Sequence, residues 1–168
     1  PFEIAALASR GGNPLVVALE WLLRAPDQRF RLAEVMDLLD VPAIAGRFGI
    51  AASDLPVVQR WAAEAGVRWG LHTQQRAALG LAACGEQNSW LFGLRRMLLG
   101  YASGAADAFA EIQPFAEVGG LEAALVGSLA DLFATLDGWW HQSRAAAAPR
   151  VWAEHARHLL ASLFAASD

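Results

Sequence analysis

The sequence contains no lysine, and all 13 of its basic residues are arginines. Mechanisms that depend on a lysine amine are therefore excluded from this chain. They include a Walker A phosphate-binding loop, a Schiff base and a lysine-dependent nuclease centre. Codon bias explains the excess of arginine and alanine better than any functional requirement does.

Cysteine is almost absent as well, since Cys84 is the only one. No disulfide can form within the chain, which is typical of a protein from the reducing cytoplasm. No stretch reaches the ~18–20 apolar residues that cross a bilayer, and no signal sequence opens the chain. We therefore expect a cytoplasmic protein without membrane contact. The chain begins at Pro1 without a methionine, and we expect one domain, residues 1–168, cut from a longer multidomain polypeptide.

The composition is that of a folded domain, with 55% hydrophobic and 18% charged residues. The net charge is −4, and the sequence pI is about 5.5. An acidic domain of this kind is a poor general binder of nucleic acid. A local basic patch remains compatible with these values.

Apolar residues recur at helical spacing almost throughout, and no alternating strand pattern is present. The sequence predicts an all-α single domain of seven to nine helices. Caps are expected at Asn13, at Ser53, at Thr73 and at Asn88 or Ser89. The helix that follows Asn13-Pro14, LVVALEWLLR, is apolar on most sides, and we expect it to be well buried. Predicted helices cover Leu15–Arg24, Leu32–Leu39, Ser53–Gly66, Thr73–Leu79, Asn88–Gly104, a short piece after Gly104, Leu121–Trp139 and a segment after Pro149.

Catalytic and metal-binding motifs are hard to find in this chain. His155 and His158 are three residues apart and could share a helix face, with His141 or Glu154 as a third ligand. No tight ligand motif supports that arrangement, and no serine lies in a Gly-x-Ser-x-Gly elbow. The two carboxylates that flank Pro114, Glu111 and Glu117, are of a kind common on surfaces. We predict no catalytic, cofactor-binding or metal-binding residue.

The seven tryptophans could stack on bases, but most lie at the spacing of a helical core. We assign Trp21, Trp61, Trp90 and Trp152 to the core. Trp69 and the pair Trp139-Trp140 remain candidates for an interface.

The adjacent arginines Arg95 and Arg96 interrupt an apolar run. A helix that starts at Trp90 places one apolar stripe toward the core, and both arginines fall on the other side with Phe92 and Leu99. Three roles are open for that outer face: packing within the domain, an interface with a neighbouring domain or subunit, and contact with nucleic-acid phosphate. Our predicted interface or DNA-backbone residues are Arg95, Arg96 and Phe92, followed by Arg68 and Trp69. The predicted core stripe is Trp90, Leu94, Met97, Leu98 and Tyr101.

Several segments in order resemble one known family. They are NSWLFGLRRMLLGYA (88–102), GVRWGLHTQQRAALGL (66–81), LLDVPAIAGRFGI (38–50), PFAEVGGLEAALVGSLADL (114–132) and WAEHARHLLASLF (152–164). The chain resembles the exodeoxyribonuclease V gamma subunit family, RecC, over essentially all of its residues. It departs from the family pattern in having His72 in place of aspartate, Phe115-Ala116 in place of Tyr-Asp, and Leu91 where arginine is frequent. A fainter resemblance links residues 2–23 and VPAIAGRFGI to the helical 2B subdomain of superfamily 1 helicases.

The resemblance implies a non-catalytic helical domain in a subunit that has lost the helicase ATPase motifs. Such a subunit assembles with RecB and RecD into an ATP-dependent exodeoxyribonuclease that processes double-strand DNA ends for recombinational repair. It further implies that this chain holds no cofactor, that ATP and Mg²⁺ act in the partner subunits, and that DNA is contacted through the full complex. The alternative is a free-standing all-α enzyme or ligand-binding domain with a pocket lined by tryptophan and histidine.

Overall fold

A computed structural model describes residues 12–103, 112–118 and 123–165 of the chain. These residues form eight α-helices and three short 3₁₀ turns without a β-strand, which confirms the all-α prediction. The helices are α1 (Pro14–Leu23), α2 (Leu32–Leu39), α3 (Pro42–Arg47), α4 (Leu55–Glu64), α5 (Thr73–Ala78), α6 (Trp90–Ser103), α7 (Ala123–Ser143) and α8 (Pro149–Leu163). The 3₁₀ turns are Ala25–Asp27, Ala52–Asp54 and Ala82–Cys84.

The helix ends follow from local hydrogen-bond chemistry. The Asn13 side chain accepts a hydrogen bond from the Leu15 amide at 3.0 Å, and Pro14 occupies the first helical position of α1. The Glu34 carboxylate accepts the Arg31 amide at 2.8 Å and thereby opens α2. Gly66 follows the C-terminal end of α4 with a φ of +93°. A residue with a side chain would be strained in this left-handed conformation, which commonly terminates a helix. Both predicted boundaries, at Asn13 and Gly66, are confirmed.

Two of the predicted caps are wrong. Ser53 lies inside a 3₁₀ turn, and the carboxylate of Asp54 accepts the Ala51 amide there at 2.9 Å, before α4 begins. Thr73 is the first residue of α5, and the cap is His72, whose Nδ1 accepts two amide hydrogen bonds. A histidine ring can accept in this position as a hydroxyl does, but sequence preference does not favour it.

The prediction that α1 is well buried is also wrong. Only Ala18 and Leu22 of this helix are buried, whereas Val17 is 53% exposed. Leu15 and Leu23 are exposed too. The helix is apolar on most sides, but the described residues cover one of those sides only.

Helix α7 is the centre of the packing, with contacts to α6, to α8 and to the turn Ala25–Asp27. Its Trp139 indole donates a hydrogen bond to the Leu22 carbonyl at 2.6 Å, which joins it to the end of α1. Helix α2 packs on α3 and α4, and α4 packs on α6. The Ala165 amide donates to the Ala43 carbonyl at 2.7 Å, so the end of the described chain returns to α3.

The tryptophans assigned to the core lie there, and the adjacent pair Trp139-Trp140 joins them. Trp61 and Trp90 are buried, and Trp21 and Trp152 pack against the core while half-buried. Trp139 and Trp140, which the sequence left as interface candidates, are both buried. They therefore belong to the core of this domain.

The short helical piece predicted after Gly104, and Glu111, lie outside the described residues. Within the described ranges, none of the helices combines the length and the hydropathy needed to cross a membrane.

Candidate interaction surface

Three separate segments of the chain are joined by backbone hydrogen bonds, and we call this region the junction. Its central segment, residues 66–72, lies between residues 28–32 on one side and residues 88–91 on the other. On one side, the Gly70 amide donates to the Arg29 carbonyl at 2.7 Å, and the Leu32 amide donates to the Arg68 carbonyl at 3.0 Å. On the other side, the Trp90 amide donates to the Gly70 carbonyl at 2.9 Å. Segment 66–72 is therefore hydrogen-bonded to a neighbouring segment on both sides without forming a β-strand.

The buried side chain of Arg76 hydrogen-bonds to the backbone in and next to this junction. Its side chain is 1% exposed, and its guanidinium donates to four backbone carbonyls. The acceptors are Trp69 at 2.6 Å, Gln87 at 2.7 Å, Gly85 at 2.8 Å and Cys84 at 3.4 Å. The guanidinium also stacks over the Trp69 ring, 4.2 Å from its centroid. Burial lowers the pKa of Arg76, because a cation is harder to hold away from water.

Two of the predicted interface residues, Arg68 and Trp69, lie in this junction. The exposed Arg68 guanidinium donates to the carbonyls of Ala63 and Val67, both at 2.9 Å, at the end of α4. Trp69 is half-buried with one face covered by Arg76. Arg68 is therefore held in a defined place at the surface, while Trp69 has only part of its ring available to a partner.

The arginine pair divides between two roles. Arg95 is exposed and forms an ion pair with Glu86, whose carboxylate lies 2.6 Å from its guanidinium. Arg96 is half-buried and donates to the Ala65 carbonyl at 2.8 Å and to the Gln113 carbonyl at 2.9 Å. Phe92 is half-buried, 6.0 Å from the Arg96 guanidinium. Arg96 thus links α4, α6 and the segment around Pro114, whereas Arg95 faces outward.

The predicted core stripe of α6 is correct for Trp90, Leu94 and Met97 and wrong for Leu98 and Tyr101. Leu98 is 44% exposed and Tyr101 is 57% exposed. The buried side of the helix is instead completed by two glycines, Gly93 and Gly100. Neither glycine has a side chain, so the Val67 side chain approaches α6 closely at Gly93 and the Phe115 backbone does so at Gly100. The buried face is rotated toward Arg96 and away from Leu98.

A cluster of His72, Asp137 and His141 is the one group of metal-ligand type among the described residues. The His72 Nε2 lies 2.6 Å from the Asp137 carboxylate, and the His141 Nε2 lies 3.8 Å from it. The Nδ1 of His72 accepts the amides of Gln74 and Gln75, at 3.2 and 3.3 Å. The ring proton is therefore on Nε2, where it is donated to Asp137.

That arrangement does not fit a metal ion. A neutral imidazole that binds a metal through Nε2 carries its proton on Nδ1. In His72 this proton would face two amide N–H groups that now donate to the same nitrogen. The same bonds leave His72 without a free nitrogen to act as a general base. The cluster is a structural contact between α5 and α7.

We expect His72→Asn to lower the free energy of unfolding by about 1–2 kcal/mol, through loss of the hydrogen bond to Asp137 and of the edge-to-face contact between the His72 and Trp140 rings. Asparagine is a good N-cap and can keep the amide contacts. Urea denaturation of the two proteins measures the difference. The matched variant His141→Asn, at a side chain 52% exposed, should change stability by less than 0.5 kcal/mol. Equal losses in both variants would contradict this assignment.

The histidines weighed as ligands, His155 and His158, do not join that cluster. His158 and His141 instead line an open groove of about 620 Å³ between α7 and α8, together with Trp139. This groove has the tryptophan and histidine lining that the alternative hypothesis predicts. Its lining contains no carboxylate, and the Ser162 hydroxyl donates to the Leu159 carbonyl at 3.1 Å. A nucleophile paired with a base is not found among the groove residues.

A sequence profile described as "RecBCD enzyme subunit RecC fourth domain" matches residues 12–168. This chain belongs to the RecC family. Its similarity to the family is to the fourth domain, and the matched region contains every residue of the junction.

Individual RecC relatives agree with the profile. The chain is 41% identical to the RecBCD enzyme subunit RecC of Escherichia coli strain K12 over 140 residues, which is 83% of the chain and 12% of the relative. It is 30% identical to that of Haemophilus influenzae over 169 residues, 100% of the chain and 14% of the relative. The Mycobacterium tuberculosis H37Rv relative is 31% identical over 71% of the chain and 11% of the relative. The chain thus spans only about an eighth of the RecC proteins that it matches.

Of the interface residues predicted from the sequence, Arg68 and Trp69 lie in the junction, and Phe92, Arg95 and Arg96 lie beside it on α6. The sequence did not predict a role in the junction for Arg76 or His72. Arg76 lies in TQQRAAL, a short polar helix in which an arginine is usually exposed. Its only local signal is Gly70, which has φ of +79° and whose missing side chain leaves room for the Arg76 guanidinium.

Proposed function

We propose that this chain is a non-catalytic helical domain of the RecC subunit in the RecBCD helicase-nuclease, which processes double-strand DNA ends for recombinational repair in the cytoplasm. It has a scaffold role within a longer multidomain subunit, with RecB and RecD as partners. DNA is reached through the assembled complex. ATP and Mg²⁺ act in the partner subunits, and this domain binds no cofactor.

The observation that carries this proposal is how the polar groups of the junction are used. Gln75, Arg96 and His72 point their polar atoms at the chain's own backbone or at a neighbouring side chain. The two terminal nitrogens of Arg76 do the same, whereas its buried Nε has no partner among the described residues. An enzyme site requires polar groups that converge on open space instead. A scaffold requires the opposite, a rigid shape with its polar groups satisfied internally.

Of the predicted interface residues, we assign Phe92, Arg95, Arg68 and Trp69 to contact with a neighbouring domain or subunit. Arg96 supports that surface from inside, because it fixes α6 to Ala65 and Gln113. Of the adjacent pair, Arg95 is the arginine that can reach a partner, since its side chain is 47% exposed. Arginine next to an aromatic ring is a frequent combination in protein interfaces.

We expect Arg95→Ala in the full-length subunit to weaken assembly with the other two subunits by about fivefold, as loss of one interface arginine commonly does. The dissociation constant of the complex is measured by titrating labelled subunit, and stability of the variant is followed by urea denaturation. Glu86→Ala is the matched control, because it removes the internal partner of Arg95 and leaves the arginine in place. Arg150→Ala, at a side chain 92% exposed on α8, controls for loss of one positive charge.

The pattern of these variants separates the possible roles. Weaker assembly in Arg95→Ala alone supports the interface. Normal assembly with lower stability in both Arg95→Ala and Glu86→Ala would assign the pair to internal packing. Arg96→Ala should lower stability by about 1–2 kcal/mol, since two carbonyls lose a charged donor. A preparation of the chain that hydrolyses ATP or degrades linear DNA by itself would favour the enzyme alternative.

A further inference from the structure

Helix α1 is apolar on almost every side, but the described residues bury only one of those sides. Glu20 is the single charged residue among its ten, PLVVALEWLL. A helix at a protein surface usually has a polar outer side, whereas a helix that is apolar all round is normally enclosed. Among the described residues, only Ala18 and Leu22 of α1 are buried. The composition of α1 therefore indicates a second contact, which the described residues do not supply.

The uncovered side of α1 faces an apolar groove. This groove has a volume of about 310 Å³ and lies between α1 and α2. Its residues from α1 are three or four apart and share one side of the helix: Pro14, Val17, Ala18 and Trp21. The other residues of the lining include two buried apolar side chains, Leu38 and Val41, and two carboxylates, Glu34 and Asp37. Val17 is 53% exposed in this groove, which has the concave apolar form that a side chain from another segment can fill.

The polypeptide enters this domain at the edge of the groove. Gly12, the first described residue, is part of the groove lining, and α1 begins at Pro14. The match to the RecC fourth domain starts at the same residue, and the chain spans only about an eighth of its RecC relatives. A domain that precedes Gly12 in the same subunit is therefore tethered directly beside the groove.

The other end of the described chain lies elsewhere. The Ala165 amide donates to the carbonyl of Ala43 on α3 at 2.7 Å, and Ala43 does not line the groove. Of the two parts of the subunit that flank this domain, the preceding part is thus connected at the groove itself. A short tether keeps the local concentration of a partner high, so a small apolar contact is enough to hold it.

We propose that the domain preceding Gly12 in the RecC subunit docks on this groove and covers the exposed side of α1 with apolar side chains. The inference rests on the proposed function, because it requires this chain to be one domain of a longer subunit. It adds a second interface, formed by α1 and α2, to the surface on α6 that carries Phe92 and Arg95. Contacts between the domains of one chain are commonly of moderate size, as this groove would provide.

The first test measures whether the groove is covered in the full-length RecC subunit, alone and assembled with RecB and RecD. Val17→Cys places a thiol in the groove, and Leu160→Cys is the matched control at a side chain of similar exposure, 53% against 45%. Leu160 lies on α8, which also carries Arg150, Glu154 and Arg157, so an exposed leucine there needs no partner. The rate of alkylation by N-ethylmaleimide is read for each cysteine separately by peptide mass spectrometry.

We expect Val17→Cys to react at least about tenfold more slowly than Leu160→Cys in the full-length subunit alone, because a docked domain excludes the reagent until it opens. Each rate is divided by the rate of the same cysteine in the subunit unfolded in urea. The carboxylates of Glu34 and Asp37 also slow a thiol at position 17, because they disfavour its thiolate. That electrostatic effect weakens at high salt, whereas coverage by a domain does not.

The second test identifies what covers the groove. The photoreactive residue p-benzoylphenylalanine replaces Val17 in the full-length subunit, and the peptide to which it cross-links is identified by mass spectrometry. We expect that peptide to lie before Gly12 in the sequence, both in the free subunit and in the complex. The same residue in place of Leu160 is the control, and it should give no cross-link to that region.

Three results would overturn the proposal. Equal alkylation rates at the two positions would show that the groove is open in the full-length subunit. Protection that appears only after assembly with RecB and RecD would assign the groove to a partner subunit. A cross-link to a peptide after Asp168, or only to the domain itself, would assign the groove to another segment. None of these results bears on assembly in the Arg95→Ala variant, so the scaffold role is judged separately.

Discussion

Replacing Arg76 with methionine should lower the free energy of unfolding by about 3 kcal/mol, the largest loss we expect from a single polar residue here. Methionine fills a similar volume but leaves the carbonyls of Trp69, Gly85 and Gln87 without their donor. Each buried acceptor without a partner costs about 1–3 kcal/mol, and partial hydration of the loop after Ala82 limits the sum. Urea denaturation of the purified chain, followed by tryptophan fluorescence, measures the loss.

Arg76→Lys is the control for charge. A lysine keeps the positive charge but donates from one nitrogen only. It cannot reproduce the two terminal nitrogens of the guanidinium, which donate to the Trp69 and Gln87 carbonyls on opposite sides. We expect it to recover less than half of the loss. If Arg76→Lys were nearly as stable as the parent protein, a positive charge alone would be sufficient at this position. That result would contradict the explanation that several carbonyls need the guanidinium as their donor.

Gly100→Ala should be comparably damaging, with a loss of about 3 kcal/mol, at the upper end of the usual cost of overpacking. A Cβ built on Gly100 would overlap the backbone carbonyl of Phe115, which cannot move aside as a side chain could. Either α6 or the segment Gln113–Val118 must shift. Because Phe115 and Val118 are buried, that shift would also open the core.

A second helical glycine supplies the matched control. Gly127 lies within α7, and no atom of the described residues is within 4 Å of a Cβ built there. Gly127→Ala should therefore raise stability by about 0.5–1 kcal/mol through helix propensity alone. Thermal and urea unfolding of both variants test the opposite signs. Lower stability in both variants would indicate that alanine is unfavourable in these helices for a reason unrelated to Phe115.

Sequence periodicity predicts most of this fold because the helices are amphipathic and carry recognisable ends. The stripe of α2, with Val35, Met36 and Leu39 buried, follows directly from spacing of three and four. The stripe of α6 was placed incorrectly because the buried Gly93 and Gly100 contribute nothing to an apolar pattern. A glycine adds no apolar side chain to such a pattern, although it is often the residue at which a neighbouring segment comes closest to the helix.

The junction could not be predicted from periodicity, because its bonds join extended segments that are distant in the sequence. The pairing of His72 with Asp137, 65 residues away, has no local signature. Arg76 looks like an ordinary helix-surface arginine until the loop around Gly85 is folded over it. Family resemblance pointed to the right segments, but the role of each side chain came only from the geometry.

The position of α7 also determines when this domain can be complete. Leu129, Leu132 and Leu136 close against Val35, Leu71 and Trp90 from earlier parts of the chain, and almost no space remains between them. A ribosome synthesises the chain in order at about 5–20 residues per second. Val35, Leu71 and Trp90 are therefore made several seconds before the α7 leucines that bury them. Until residue 136 has emerged, the nascent chain presents a hydrophobic cleft to the cell, and chaperone binding or aggregation competes with folding during that interval.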